Sequence, residues 1–260
     1  MRTQVPHRWR PSPNVEPRRG GLAPDLVVLH YTGMTSAEGA VDWLVNPAAK
    51  VSCHYLVDEA GAVTQMVEEH MRAWHAGVSC WQGASDVNSR SIGIEIHNPG
   101  HELGYGDFPV VQVEAVAALC HDILSRHRIA PEAVLAHSDV APGRKIDPGE
   151  KFPWDALFEA GVGHWVPPVP LGEAVPEAGA IARLGSGLAA YGYCIDPATV
   201  DAGSFQTVVA AFQRHFRTAR VDGVPDASTF ATLERLLAAL AMPSPAVLEW
   251  IEGGSGKASG

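Results

Sequence analysis

Four prolines, Pro167, Pro168, Pro170 and Pro176, fall within VGHWVPPVPLGEAVPEAGA (162–180) and cut the chain into two unequal parts. Proline fixes φ and removes a backbone donor, so neither a helix nor a central strand continues through such a segment. The composition suits a semi-rigid extended linker. Before it, apolar residues recur with both strand and helix periods; after it, only the helical period remains. The expected architecture is therefore an α/β part over 1–161, a linker over 162–180, a small all-α part over 181–242 and a frayed tail over 243–260, which ends GGSGKASG.

In the first part, DLVVLH (25–30) and AVLAH (133–137) are short apolar runs that predict buried strands, each ending in a histidine. HYLVDEAGAVTQMV (54–67) predicts two strands around a turn at Asp58 to Gly61. SIGIEIHN (91–98) alternates, placing Ile92, Ile94 and Ile96 on one face and Gly93, Glu95 and His97 on the other. A helix is expected over 37–45, capped by Thr35 or Ser36, and a longer amphipathic one over 110–128. The fold class is thus a mixed central β-sheet flanked by helices. In the last part, helices are expected over 180–192, 204–217 and 226–240, the third capped by Asp226 or Ser228. In the middle one Phe205, Val208, Val209, Phe212 and Phe216 recur at i, i+3, i+4, i+7 and i+11.

A formal net charge of −10 argues against a nucleic-acid partner, which needs clustered Lys and Arg. Arg2, Arg8, Arg10, Arg18 and Arg19 make the N-terminus locally basic, but the polar, Pro-rich PSPNVEPRRGGLAP that follows is no signal-peptide apolar region. No apolar run reaches the ~18 residues of a membrane span. Cys53, Cys80, Cys120 and Cys194 are scattered without a CxxC pair. Four reduced, buried thiols are the expectation, a single disulfide being the alternative in an exported chain.

The chemistry gathers around His30, His137 and Asp147. Two imidazoles and a carboxylate suit zinc, and three protein ligands leave the fourth position open to water, as a hydrolase needs. A histidine at a strand end is also a common hydrogen-bonded structural residue, so spacing alone leaves both readings standing. Glu95 sits inside an apolar strand, where a carboxylate is costly unless partnered. It reads as a general base or as a solvent-facing residue of a half-exposed sheet. Lys145 lies two residues before Asp147, on the same side of an extended segment. It reads as an oxyanion-stabilising ammonium or an ordinary surface lysine.

VVLHYTGM (27–34), CHYLVDEAGAVTQMV (53–67), AWHAG (73–77), SIGIEIHN (91–98) and AHSDVAPGRKIDPGEKFPW (136–154) together resemble, in order, the type 2 N-acetylmuramoyl-L-alanine amidases, a family similar to the peptidoglycan-recognition proteins. The resemblance covers roughly residues 10–160. It implies one zinc ion on His30, His137 and Asp147, Glu95 as catalytic carboxylate and Lys145 as the cation that stabilises the intermediate. Tyr31 is expected to line the cleft, His54, Trp74 and His75 to serve substrate-pocket or structural roles, and Asn98 to hydrogen-bond substrate. The AFQRHF…DGVPDASTFATL stretch, within about 181–240, resembles a peptidoglycan-binding domain. The implied activity is hydrolysis of the amide between N-acetylmuramic acid, in 1,6-anhydro form, and L-alanine during wall recycling. A tethered wall-binding module would raise the local concentration of the catalytic part on the polymer.

Two other readings compete. A cysteine hydrolase built on Cys53 and His54 fails because neighbours on a strand point to opposite faces. A non-catalytic binder would lack a zinc ligand, whereas all three candidates are present. The lack of a signal segment favours a cytoplasmic recycling role; the wall-binding resemblance favours the periplasm and intact wall. The cytoplasm is the expected location, and oligomeric state is left open.

Overall fold

The computed structural model describes residues 2–172 and 179–240. The expected tail at 243–260 and residues 173–178 of the expected linker lie outside them. Eight strands run in chain order as β1 (His7–Trp9), β2 (Val15–Pro17), β3 (Leu26–Tyr31), β4 (Tyr55–Val57), β5 (Val63–Gln65), β6 (Met71–Ala73), β7 (Ser91–Ile96) and β8 (Val134–Ala136). Six of them form one sheet in the order β1-β5-β4-β7-β3-β8; β2 and β6 form a separate antiparallel ribbon. Within the six-stranded sheet only β4 and β5 pair antiparallel, across the expected turn. There Asp58 Oδ1 accepts from the Ala60 and Ala62 amides, and Gly61 takes φ 80°. The centre, β4-β7-β3-β8, is parallel.

The helices are α1 (Ala37–Leu44), α2 (Val87–Arg90), α3 (Gly100–Leu103), α4 (Val110–Arg126), α5 (His137–Val140), α6 (Trp154–Glu159), α7 (Ala180–Tyr191), α8 (Ala202–Phe216) and α9 (Ala227–Leu240). Ser36 caps α1, its hydroxyl accepting from the Gly39 amide. Asp226 rather than Ser228 caps α9, its carboxylate accepting from the Thr229 amide. The expected strand at 133–137 stops one residue short: His137 opens α5 instead of closing β8.

Alternation along β3 and β7 splits the sheet into two environments. Val27, Leu29, Ile92, Ile94 and Ile96 point to one face and pack beneath α4 in the first core. Leu26 and Val28 point to the other face. There, with Leu135 and Val140, they share a second core with Leu184, Leu188, Phe212 and Leu236 of the C-terminal helices. The helical part is therefore fused to the sheet and shares its core, where the sequence suggested a tethered module. The described part of the proline segment packs against the rest of the protein. Val169 accepts from Ser228 and donates to Thr232, and Val162 lies in the first core.

Cys80 and Cys194 form a disulfide joining the two parts, so four reduced thiols is corrected to two. The pattern held no signal for this because the partners are 114 residues apart and meet only once α7 docks. Cys53 and Cys120 are free and buried, and burial pushes the Cys120 thiol up to about 12. The basic N-terminus is consumed internally. Arg8 and Arg10 pair with Glu38, and the buried Arg18 donates to the Glu69 carbonyl. No helix among the described residues is long and apolar enough to cross a membrane.

Candidate active site

The parallel register builds the site. His30 on β3 lies directly beside Glu95 on β7, and Leu29 pairs with Ala136, so His137 emerges next to His30 at the carboxyl end of the sheet. The α5 turn then returns the chain until the Ser138 amide bonds the Asp147 carbonyl, which brings the third residue in. His30 Nδ1, His137 Nδ1 and Asp147 Oδ2 converge at 2.9–3.1 Å from one another, all three residues being buried. They sit in a cleft of about 520 Å³ that is also lined by Tyr31, Trp43, Trp74, Glu95 and Lys145.

The ring nitrogens facing away decide what the converging atoms are. His137 Nε2 faces the Ala76 carbonyl at 3.2 Å, closer than Arg144 Nη2 at 3.5 Å, which itself donates to that carbonyl; the nearer partner only accepts, so Nε2 is assigned the proton and Nδ1 the lone pair. For His30 the assignment runs through three groups. Ser91 Oγ donates to the Val87 carbonyl at 2.7 Å and so accepts from His75 Nε2 at 3.1 Å. His75 Nδ1 then accepts from His30 Nε2 at 2.9 Å, leaving His30 Nδ1 unprotonated. Burial, followed by the neighbouring His137, lowers the His30 pKa to about 4, and burial holds His75 well below its ordinary value. Two imidazole lone pairs and a carboxylate oxygen thus face one another without an intervening proton. Tetrahedral zinc ligands stand about 3.3 Å apart, so this donor set fits a small cation.

Glu95 lines the cleft, and its buried Oε2 has no hydrogen-bond partner among the described residues. Burial, then the negative charge of Asp147, raises its pKa well above the ordinary value, against the pull of Lys145. Lys145 lines the cleft and carries no ion pair among the described residues. Tyr31 lines it too, its hydroxyl 3.2 Å from His101 Nδ1, as does Trp74, whose buried indole N–H has no partner among the described residues.

His54 and His75 take the structural of the roles expected for them, and Asn98, expected to hydrogen-bond substrate, bonds its own loop. His54 is fully buried away from the cleft: Nδ1 accepts from the Gly93 amide, Nε2 bonds the Met71 carbonyl, and burial followed by Arg18 lowers its pKa to about 3. Asn98 is spent on its own loop, bonding the Gly106 carbonyl and the Gly100 amide. His75 reaches the cleft, but both its nitrogens are engaged by His30 and Ser91, so it orients a ligand rather than binding substrate. Cys53 is buried with its thiol pushed well up, first by burial and then by Glu95, the reverse of an activated nucleophile. Sequence reasoning missed Asp139, whose Oδ2 caps α5 by accepting from the Ala136 amide at 2.8 Å. With alanine at the N-cap the usual capping signature is absent, so the sequence held no signal for this role.

Residues 20–150 match the N-acetylmuramoyl-L-alanine amidase family and residues 179–233 a peptidoglycan binding domain. The chain is 37% identical over 229 residues to N-acetylmuramoyl-L-alanine amidase AmiD of Escherichia coli (strain K12), a match covering 82% of each chain. Its fold matches the solved complex of E. coli AmiD with anhydro-N-acetylmuramic acid-L-Ala-D-gamma-Glu-L-Lys. That match has TM-score 0.73 and 33% identity, and covers 88% of this chain and 94% of that one. It also matches AmpDh3 from Pseudomonas aeruginosa in complex with anhydromuramic pentapeptide, with TM-score 0.75 and 33% identity over 86% of this chain and 95% of that one. Similarity of that extent, spanning both parts, makes this chain a member of the N-acetylmuramoyl-L-alanine amidase family.

Proposed function

We propose that the enzyme cleaves the amide between 1,6-anhydro-N-acetylmuramic acid and L-alanine in muropeptides, as a zinc enzyme with His30, His137 and Asp147 as ligands. The observation that carries the metal is the convergence of three unprotonated donors, their tautomers set from outside by Ala76 and by the His75–Ser91–Val87 chain. The substrate class is supported by the two similar solved proteins, each holding an anhydromuramic peptide.

A zinc ion held there supplies a Lewis acid and lowers the pKa of water towards about 7. Glu95, beside His30 on the next strand, takes the proton of the attacking water and returns it to the departing L-alanine amine. Its raised pKa suits a group that must do both. Lys145, free of ion pairs among the described residues, faces the same cleft and stabilises negative charge developing on the carbonyl oxygen.

The test is incubation with 1,6-anhydro-N-acetylmuramyl tripeptide, with and without a zinc chelator, followed by mass spectrometry. Free tripeptide that disappears with chelator and returns with zinc supports bond, metal and reaction together. Cleavage of intact sacculi alone moves the substrate to wall polymer, and zinc binding without either cleavage leaves a binding protein. One feature favours the periplasmic alternative over the cytoplasm: the Cys80–Cys194 disulfide suits an oxidising compartment.

A further inference from the structure

We infer that the C-terminal helical part is a working piece of the metal site, and that Tyr193 and His215 are positioning residues acting on the ligand His137 through Asp139. The inference rests on reading the His30–His137–Asp147 cluster as a zinc site.

The contact is narrow and fully buried. Asp139 belongs to α5, the single turn that begins with His137, and its Oδ2 caps that turn through the Ala136 amide. The remaining capacity of the same carboxyl group is taken by the helical part. Tyr193 donates its hydroxyl to Oδ1 at 2.7 Å, and His215 Nδ1 donates to Oδ2 at 2.6 Å. None of the three is more than 2% exposed. His215 is held flat between Trp154, 3.6 Å away, and Phe216, 3.8 Å away, so its ring has one orientation to offer.

A second link runs by a different route to the same ligand. His137 Nε2 donates to the Ala76 carbonyl, in the loop that continues to Cys80. The Cys80 amide bonds the Val140 carbonyl at the end of α5, and its sulfur is bonded to Cys194, next to Tyr193. The group capping α5 and the loop that sets the His137 tautomer are therefore both anchored in residues 193–215. A four-residue helix has too few internal hydrogen bonds to hold its own geometry. The partners that orient a metal ligand commonly change metal affinity by about 10–100-fold when removed.

The experiment uses the full chain. Zinc affinity is measured by chelator competition, the cobalt-substituted protein is examined by visible absorption, and thermal stability is followed in parallel. Tyr193→Phe keeps the ring and loses only the hydroxyl. His215→Leu removes the donor, whereas His215→Asn places an amide N–H near the position of Nδ1. The Tyr193→Phe/His215→Leu double variant is expected to bind zinc at least about tenfold more weakly and to show an altered cobalt spectrum. His215→Asn should restore both over His215→Leu. A double variant with wild-type zinc affinity and spectrum, whatever its thermal stability, overturns the inference, because packing alone would then explain the contact. If the double variant does not fold, Tyr193→Phe decides, and unchanged zinc affinity in it overturns the inference equally. Wild-type protein that binds no zinc in the same titration removes the zinc reading and the inference together; wild-type binding with unaffected variants removes the inference alone.

Discussion

Glu95 carries the sharpest consequence at the scale of a single residue. It is in register with His30 and has one oxygen without a partner among the described residues, the arrangement that the proposed general-base role requires. Glu95→Gln keeps the volume and removes the proton acceptor. Turnover is expected to fall by roughly 10²–10⁴-fold, with zinc content unchanged by metal analysis. A variant that keeps near-normal turnover would show that the water proton goes elsewhere. His75 shows a subtler dependence. It neither touches the ligand cluster's converging atoms nor needs to bind substrate, yet the proton on His30 Nε2 depends on it.

At the scale of an element, β7 shows why its pattern reads IGIEI. The isoleucines fill the first core, and the opposite face must leave room behind the metal site. A Cβ on Gly93 would lie 2.6 Å from His75 Cγ and 2.8 Å from Cys53 Sγ, closer than such atoms approach. Gly93→Ala is therefore expected to cost about 1–3 kcal/mol in denaturant unfolding and, by pushing the His75 ring off His30, to weaken zinc binding. Unchanged stability and zinc affinity would mean that the loop at 74–76 yields freely. The β4, β6 and α4 region is tied by a buried carboxylate, Glu69, which accepts from Tyr55, Arg126 and His127. Burial alone would raise its pKa, but these three bonds outweigh it and hold it at about 2, below the ordinary 4.5. A depressed carboxylate stabilises the fold above its unfolded pKa, and that stability is lost as pH falls from about 4.5 towards 2. The loss is on the order of 3 kcal/mol. Unfolding followed across that window should show the decline in the wild type and a flatter profile in Glu69→Gln. Parallel profiles would assign the acid sensitivity to other groups.

The whole molecule behaves as one body because both of its parts contribute to the second core and the disulfide closes a loop across them. Cys80→Ser/Cys194→Ser is expected to lower the unfolding free energy by about 2–4 kcal/mol, by enlarging the conformational freedom of the unfolded chain. Calorimetry of that variant should still show one transition. Two separate transitions would mean that the sheet and the C-terminal helices fold independently and that the shared core adds little.

Local pattern carried much of this. The alternation of SIGIEIHN, the apolar runs at 25–30 and 133–137 and the helical spacing from Phe205 to Phe216 are consequences of backbone geometry, so the central strands and the longer helices could be read without coordinates, whereas the short β1, β2 and β6 and the short α2, α3, α5 and α6 could not. The candidates His30, Glu95, His137, Lys145 and Asp147 came from the family resemblance of their motifs, because spacing alone left a structural reading open for each. What could not be read was how groups far apart in sequence share their hydrogen-bonding capacity. His54, His75 and Asn98 look alike as polar residues in motifs, and only their neighbours reveal that His54 and Asn98 serve backbone and that His75 serves a ligand. The disulfide, the role of Asp139 and the fusion of the helices to the sheet belong to the same class. Each depends on which faces meet after the chain has collapsed, a choice set by the summed burial of both parts and not by the residues adjacent to any one of them.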